Sequence, residues 1–123
     1  MKPKILLVED DSGMRLLLIN ILSENYDVIA CAHCDEGLER LRNGEKFDVV
    51  WTDFDCPTFA GGALITDMAQ RRLPGVPIIV ASGNSDHQRI MNACKATAYL
   101  FKPFTINDAI KILAQYVGHA QEA

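Results

Sequence analysis

Four short stretches of this sequence place residues capable of chemistry directly after apolar runs. Glu9-Asp10-Asp11 follows Ile5-Leu6-Leu7-Val8, and Thr52-Asp53-Phe54-Asp55 follows Val49-Val50-Trp51. Ser82-Gly83-Asn84 follows Ile78-Ile79-Val80-Ala81, and Lys102-Pro103 follows Tyr99-Leu100-Phe101. Brought together, they supply a cluster of carboxylates, one hydroxyl and one ammonium. Crowded carboxylates raise each other's pKa unless a cation sits among them. The donors are all oxygens, which suits a hard ion such as Mg2+, held by one or two carboxylates together with phosphate and water. The lysine and the hydroxyl would hold an anion beside it. An aspartate in that setting can act as a nucleophile and form an aspartyl phosphate. The protein then contributes positioning and charge neutralisation rather than acid-base chemistry.

The elements that must position these residues are legible as alternating patterns. Five apolar runs lack polar alternation, as strands covered on both faces do: those named above and Val28-Ile29-Ala30-Cys31. The first, third and fourth by sequence position are the most apolar and are expected at the centre of the sheet. Between the runs lie helices. Ser12 to Leu22 follows Asp11 or Ser12 as cap and carries Met14, Leu17, Leu18, Ile21 and Leu22 on one stripe. Glu36 to Leu41 carries Leu38 and Leu41. Leu64, Ile65 and Met68 mark a third helix, ended by Pro74-Gly75. Asp86 to Cys94 is a weaker fourth. The fifth starts near Thr105 and carries Ile106, Ala109, Ile110, Leu113, Tyr116 and Val117 before Gly118. Five strand-helix pairs predict an α/β, doubly wound parallel sheet with right-handed crossovers. Ligands of such sheets bind at the carboxyl ends of the strands, where all four polar stretches fall.

The 123 residues suit one domain spanning 1–123, and 49% apolar content suffices for an ordinary core. The net charge of −4 and the lack of a Lys/Arg cluster offer no footprint for nucleic acid. No apolar run approaches the ~20 residues of a membrane span, and Ile5 to Val8 is too short for a signal-peptide core. A cytoplasmic location is expected. There, Cys31, Cys34, Cys56 and Cys94 are expected as free thiols.

With these residues in place, the chain resembles the receiver domain of two-component response regulators over essentially its whole length. Glu9-Asp10 resembles the family's acidic pair after the first strand. Asp53 matches the acceptor aspartate, with Pro57 four residues later and Gly61 eight later. Ser82-Gly83 matches the hydroxyl residue followed by a small one, and Tyr99-Leu100-Phe101-Lys102-Pro103-Phe104 matches the Tyr-x-x-Lys-Pro-Phe signature. The resemblance implies a flavodoxin-like (βα)5 sandwich with strand order 2-1-3-4-5. It implies Mg2+-dependent phosphorylation of Asp53, with Asp10 and Asp53 binding the ion directly, Glu9 through water, and the backbone carbonyl of Asp55 as a further ligand. It gives Lys102 and Ser82 to the phosphoryl oxygens, makes Tyr99 the switch aromatic, and implies a cis Lys102-Pro103 peptide. It implies a histidine kinase or histidine phosphotransfer protein as donor, a downstream protein target, and a monomer or weak homodimer. The expected output is a protein contact or onward transfer, because little chain follows the fifth helix. The switching face would include His87, Arg89, Met91 and Asn92 with Tyr99. Three positions depart from the pattern: Ala60 where aspartate is frequent, Lys95 where glycine is frequent, and Asp55 as an extra carboxylate. Lysine would be strained by roughly a kcal/mol if position 95 needed φ > 0.

Each feature alone has a plainer explanation. Glu9-Asp10-Asp11 is an ordinary acidic helix start, Ser82 an ordinary turn residue, Lys102 a surface lysine, and Tyr99 simple strand packing. Their joint placement at four strand ends favours the site. Cys31-Ala32-His33-Cys34 has the spacing of a redox pair or half a zinc site, but no second pair follows at zinc-finger spacing. His33, His87 and His119 read as surface residues. Two competing functions remain. One is a haloacid-dehalogenase-like phosphatase using Asp53 and Asp55, although that motif normally follows a first strand. The other is a receiver-fold interaction module regulated by Cys31 and Cys34.

Overall fold

The computed structural model describes residues 2–55, 61–83 and 86–118. Cys56, Pro57, Ala60, Asn84, His119 and the closing Gln121-Glu122-Ala123 lie outside the described residues. Strands and helices alternate as β1 (Lys4–Val8), α1 (Ser12–Leu22), β2 (Asp27–Cys31), α2 (Cys34–Arg42), β3 (Val49–Asp53), α3 (Gly61–Arg72), β4 (Ile78–Ser82), α4 (His87–Ala93), β5 (Ala98–Phe101) and α5 (Ile106–Leu113). One wider π-helical turn, Ala114–Gly118, prolongs α5. The strands pair in parallel in the order β2-β1-β3-β4-β5, as expected.

The unbroken apolar runs are explained by burial on both faces. Successive side chains of a strand point to opposite sides. Leu6, Val8, Val50, Ile78 and Val80 join the layer of α2, α3 and α4 through Leu38, Leu41, Ile65 and Ile90. Ile5, Leu7, Val49, Trp51 and Ile79 join the layer of α1 and α5 through Leu18, Leu22, Ala109 and Leu113. Caps fix where the helices start. Asp11 accepts from the Met14 N–H at 3.0 Å, and Asp86 from the Arg89 N–H at 3.1 Å. Thr105 and Asp108 form a reciprocal capping box at α5.

Several expectations are corrected. Leu17 is not on the buried stripe of α1 but 43% exposed, because Leu18 and Leu22 define the buried line and Leu17 flanks it. Helix α2 opens at Cys34, two residues before the expected start at Glu36. In α3 the buried line is Gly62, Ile65, Thr66 and Ala69, so Leu64 is left at the surface. Among the described residues, no residue other than glycine has positive φ. Cys94 instead ends α4 in extended backbone, φ −143° and ψ 140°, so Lys95 escapes the strain the glycine conformation would impose. Cys34 is disulfide-bonded, whereas Cys31 and Cys94 are free and buried. Compartment biases thiol chemistry but does not decide it; reach between Cβ atoms does. Because Cys31 is free, the Cys31–Cys34 redox pair is not formed.

Candidate functional site

Parallel pairing sends every strand's carboxyl end to the same edge, and backbone hydrogen bonds carry the ladder one residue past the strands. The Glu9 N–H donates to the Cys31 carbonyl at 3.1 Å, Phe54 to Ala81 at 2.8 Å, and Lys102 to Ser82 at 2.7 Å. The residues that follow the apolar runs are thereby pinned side by side. The carboxylates of Glu9, Asp10 and Asp53 offer oxygens all within 4.8 Å of one another. Lys102 Nζ lies 3.4 Å from Asp53 Oδ2 and 3.7 Å from Glu9 Oε1. The Lys102–Pro103 peptide is cis.

Burial makes this cluster electrostatically uneasy. Glu9 is fully buried and Asp53 is 2% exposed. Burial, followed by the Glu9 charge and the Asp10 carboxyl, pushes Asp53 up to about 7, against the opposing pull of Lys102 and the Asp55 N–H. Burial also raises Glu9, opposed by the Asp11 N–H and Lys102. Desolvation depresses the Lys102 ammonium, but Asp53 and Glu9 outweigh it and the net shift is upward. Glu9 Oε2 accepts from the Asp11 N–H at 3.2 Å, while the buried Oε1 has no hydrogen-bond donor among the described residues. An unsatisfied buried carboxylate oxygen is costly, and one lysine at 3.4–3.7 Å does not balance three carboxylates. An all-oxygen donor set with an orphaned oxygen fits a hard divalent cation. Arg15 binds the outer side of this loop through the backbone: its Nη1 donates to the Glu9 carbonyl at 2.9 Å.

Of the sequence-derived residues, Glu9, Asp10, Asp53 and Lys102 meet in one cluster. Ser82 and Asp55 stand beside it as a pair. The Ser82 hydroxyl donates to Asp55 Oδ2 at 2.7 Å, and the Gly83 N–H donates to the same oxygen at 3.0 Å. The Asp55 N–H in turn donates to Asp53 Oδ1 at 3.2 Å. Tyr99 is not brought to the cluster. Its hydroxyl donates to the Cys94 carbonyl at 2.7 Å and accepts from the Ala96 N–H at 3.1 Å, which staples the α4–β5 turn. His87, Arg89, Met91 and Asn92 are exposed on α4, and His87 stacks on Phe101 at 3.7 Å between ring centroids.

Gly62 is a residue that reading the sequence missed. A Cβ there would lie 2.6 Å from Phe54 Cα and 2.8 Å from the Asp53 carbonyl oxygen. The start of α3 is therefore pressed onto the backbone at the end of β3. The signal was the Gly61-Gly62 pair itself: Gly61 meets a turn requirement, φ +67°, and Gly62 a close approach.

Comparison with known proteins places this geometry. A family model described as the response regulator receiver domain matches residues 5–114. The chain is 31% identical over 107 residues to a chemotaxis protein CheY homolog of Campylobacter jejuni, covering 83% of this chain and 82% of that protein. It is 31% identical over 119 residues to the DNA-binding transcriptional regulator NtrC of Escherichia coli K12, covering 94% of this chain and 25% of NtrC. The chain thus spans about a quarter of the length of the NtrC proteins it matches. Among solved structures, a response regulator receiver protein from Sinorhizobium medicae superposes with a TM-score of 0.86 at 25% identity, covering 95% of each chain. A CheY-like receiver domain protein from Methanospirillum hungatei gives 0.85 at 27% identity, covering 99% of this chain and 98% of that one.

Proposed function

The chain belongs to the response regulator receiver domain family, and from that premise we propose that it is a phosphoryl-accepting signalling switch with Asp53 as the acceptor. Receiver domains bind Mg2+ at an acidic pocket, and here Glu9, Asp10 and Asp53 form one. The observation that carries the reading is a buried aspartate held between two carboxylates and the Lys102 ammonium.

In this reading Asp10 and Asp53 would hold Mg2+ directly and Glu9 through water, with the Asp55 carbonyl as a further ligand. Bound there, the ion supplies positive charge that keeps Asp53 ionised and neutralises the phosphoryl oxygens. An Asp53 carboxylate oxygen attacks phosphorus. A new P–O bond forms as the bond to the donor breaks, and the donor leaves as a carboxylate or an imidazole. Lys102 pairs with a phosphoryl oxygen in place of its present contact with Asp53. Ser82 donates its hydroxyl to another, and Tyr99 follows that movement on the face of α4 and β5. The group adds about −2 charge and three acceptor oxygens. It shifts the two states only because Ser82 and Lys102 engage it differently in each. The donor is a histidine kinase or phosphotransfer protein, and the output is a protein contact or onward transfer from a cytoplasmic monomer or weak homodimer. DNA binding is not carried over from NtrC, since the chain spans about a quarter of it and has no basic cluster.

The test is intact mass after incubation with acetyl phosphate, with and without Mg2+, beside Asp53→Asn. The expected result is one phosphoryl group gained by the wild-type chain with Mg2+, and none without Mg2+ or in the variant. A folded wild-type chain that gains nothing would defeat the reading.

A further inference from the structure

We propose that Asp55 is a positioning residue of the acceptor site, whose carboxylate holds the Ser82 hydroxyl until phosphoryl transfer displaces it. The inference deepens the phosphoryl-acceptor reading and rests on it. One oxygen, Oδ2, takes both donors at the end of β4: the Ser82 hydroxyl at 2.7 Å and the Gly83 N–H at 3.0 Å. Ser82 is fully buried, and its carbonyl accepts from the Lys102 N–H at 2.7 Å. Its backbone is thus fixed on the β5 side. The carboxylates clustered for a cation are those of Glu9, Asp10 and Asp53, and Asp55 is not among them. Its charge is spent on the switch donors instead.

Asp55 also touches the acceptor, because its N–H donates to Asp53 Oδ1 at 3.2 Å. One residue therefore bridges nucleophile and switch, backbone to one and side chain to the other. An anionic oxygen already occupies the hydroxyl that a phosphoryl oxygen must recruit. The arriving group brings about −2 charge beside that carboxylate, and like charges this close repel. Uptake and release of Ser82 are one exchange: the Ser82–Asp55 hydrogen bond breaks and a Ser82–phosphoryl bond forms. The resting bond slows uptake and gives the unphosphorylated state its hold on β4.

The experiment measures the initial rate of phosphoryl uptake from acetyl phosphate with Mg2+ by intact mass. It compares the wild-type chain, Asp55→Ala, Asp55→Asn, Ser82→Ala and the Asp55→Ala/Ser82→Ala double variant. Asp55 is exposed, so its substitution spares the core. A charge-assisted hydrogen bond of ordinary strength predicts uptake about tenfold faster in Asp55→Ala, with Asp55→Asn between. In the Ser82→Ala background the gain shrinks to about twofold or less, because the partner of the bond is gone. Equal or slower uptake in Asp55→Ala overturns it while leaving Asp53 as acceptor. An undiminished gain in the Ser82→Ala background overturns it too, since general charge removal then accounts for the rate. No uptake by any of the five chains sinks the acceptor reading and this proposal together.

Discussion

Strand β3 is buried throughout and β1 from residue 5 onward, whereas every residue of β5 is only half-buried and α4 buries Ile90 alone. The two halves of one sheet are held by different means. Around β1 and β3, packing fixes the backbone and the tension is electrostatic, with Asp53 raised to about 7 and Glu9 raised beside it. Around β5, a few polar and ring contacts hold what packing does not. The Thr97 hydroxyl accepts from the Ile78 N–H at 2.9 Å, Tyr99 staples the α4–β5 turn, and His87 covers Phe101. A charged centre benefits from walls that cannot relax around it. A switch element benefits from low local stability, because a small bias then moves it. The boundary between the halves runs between β4, which is buried throughout, and β5, and Asp55 reaches the end of β4 at Ser82.

The largest expected effect tests the electrostatic half. Asp53 is raised in the folded chain from 3.8 to about 7. A raised acid stabilises the fold fully below its unfolded pKa, and that contribution is lost as pH rises through the folded value. Glu9 acts with the same sign. The metal-free chain therefore loses stability as pH rises from about 4 to about 7, on the order of a few kcal/mol for a shift of this size. Mg2+ opposes the loss, because it binds the ionised carboxylates. Thermal unfolding in EDTA and in Mg2+ across that range measures both effects, and Asp53→Asn flattens the EDTA curve. A melting temperature that is flat or rising with pH in the wild-type chain without metal would break the contrast.

The second effect tests the packed wall. Gly62→Ala places a Cβ against backbone atoms of Asp53 and Phe54, which cannot swing aside as a side chain can. Overpacking of this kind costs roughly 1–3 kcal/mol. It also displaces Asp53, so phosphoryl uptake is expected to fall along with the urea midpoint. Loss of stability with unchanged uptake would show that the wall is not needed to aim Asp53.

What could be read from the chain follows the same division. Patterns with short range were legible: the span Ser12–Leu22 for α1, Thr105 as a cap, and the acids, hydroxyl and lysine that follow apolar runs. Strand order came with the family resemblance. The unread parts depend on three-dimensional approach. Gly62 looked like any glycine beside a turn glycine, because what it must avoid is the backbone of β3. Leu17 satisfies the helical period as well as Leu18 does, and only the neighbouring elements decide which is covered. The Asp55–Ser82 bond joins residues 27 apart, and spacing alone does not show which way a carboxylate turns. Asp55 read only as a backbone-carbonyl ligand and an extra carboxylate, and nothing in the spacing showed that its Oδ2 accepts from the Ser82 hydroxyl.

The smallest effect belongs to the loosely held half. Tyr99→Phe keeps the ring and removes the hydroxyl that bonds the Cys94 carbonyl and the Ala96 N–H. Each such bond contributes about 0.5–1.5 kcal/mol, and the turn is half open to water, which takes over part of the pairing. Global stability should fall by about 1 kcal/mol at most. Hydrogen exchange at the Ala96 amide should accelerate far more than at Val50, in the middle of β3. The rate of phosphoryl uptake is expected to stay within about twofold, because the hydroxyl touches none of the clustered acids. If exchange at Ala96 were unchanged, the staple would be contributing nothing, and the half-buried strand would owe its order to the Thr97 bond and the His87 stack. If exchange rose at Val50 as well, the two halves would be one cooperative unit and the contrast drawn from burial would fail.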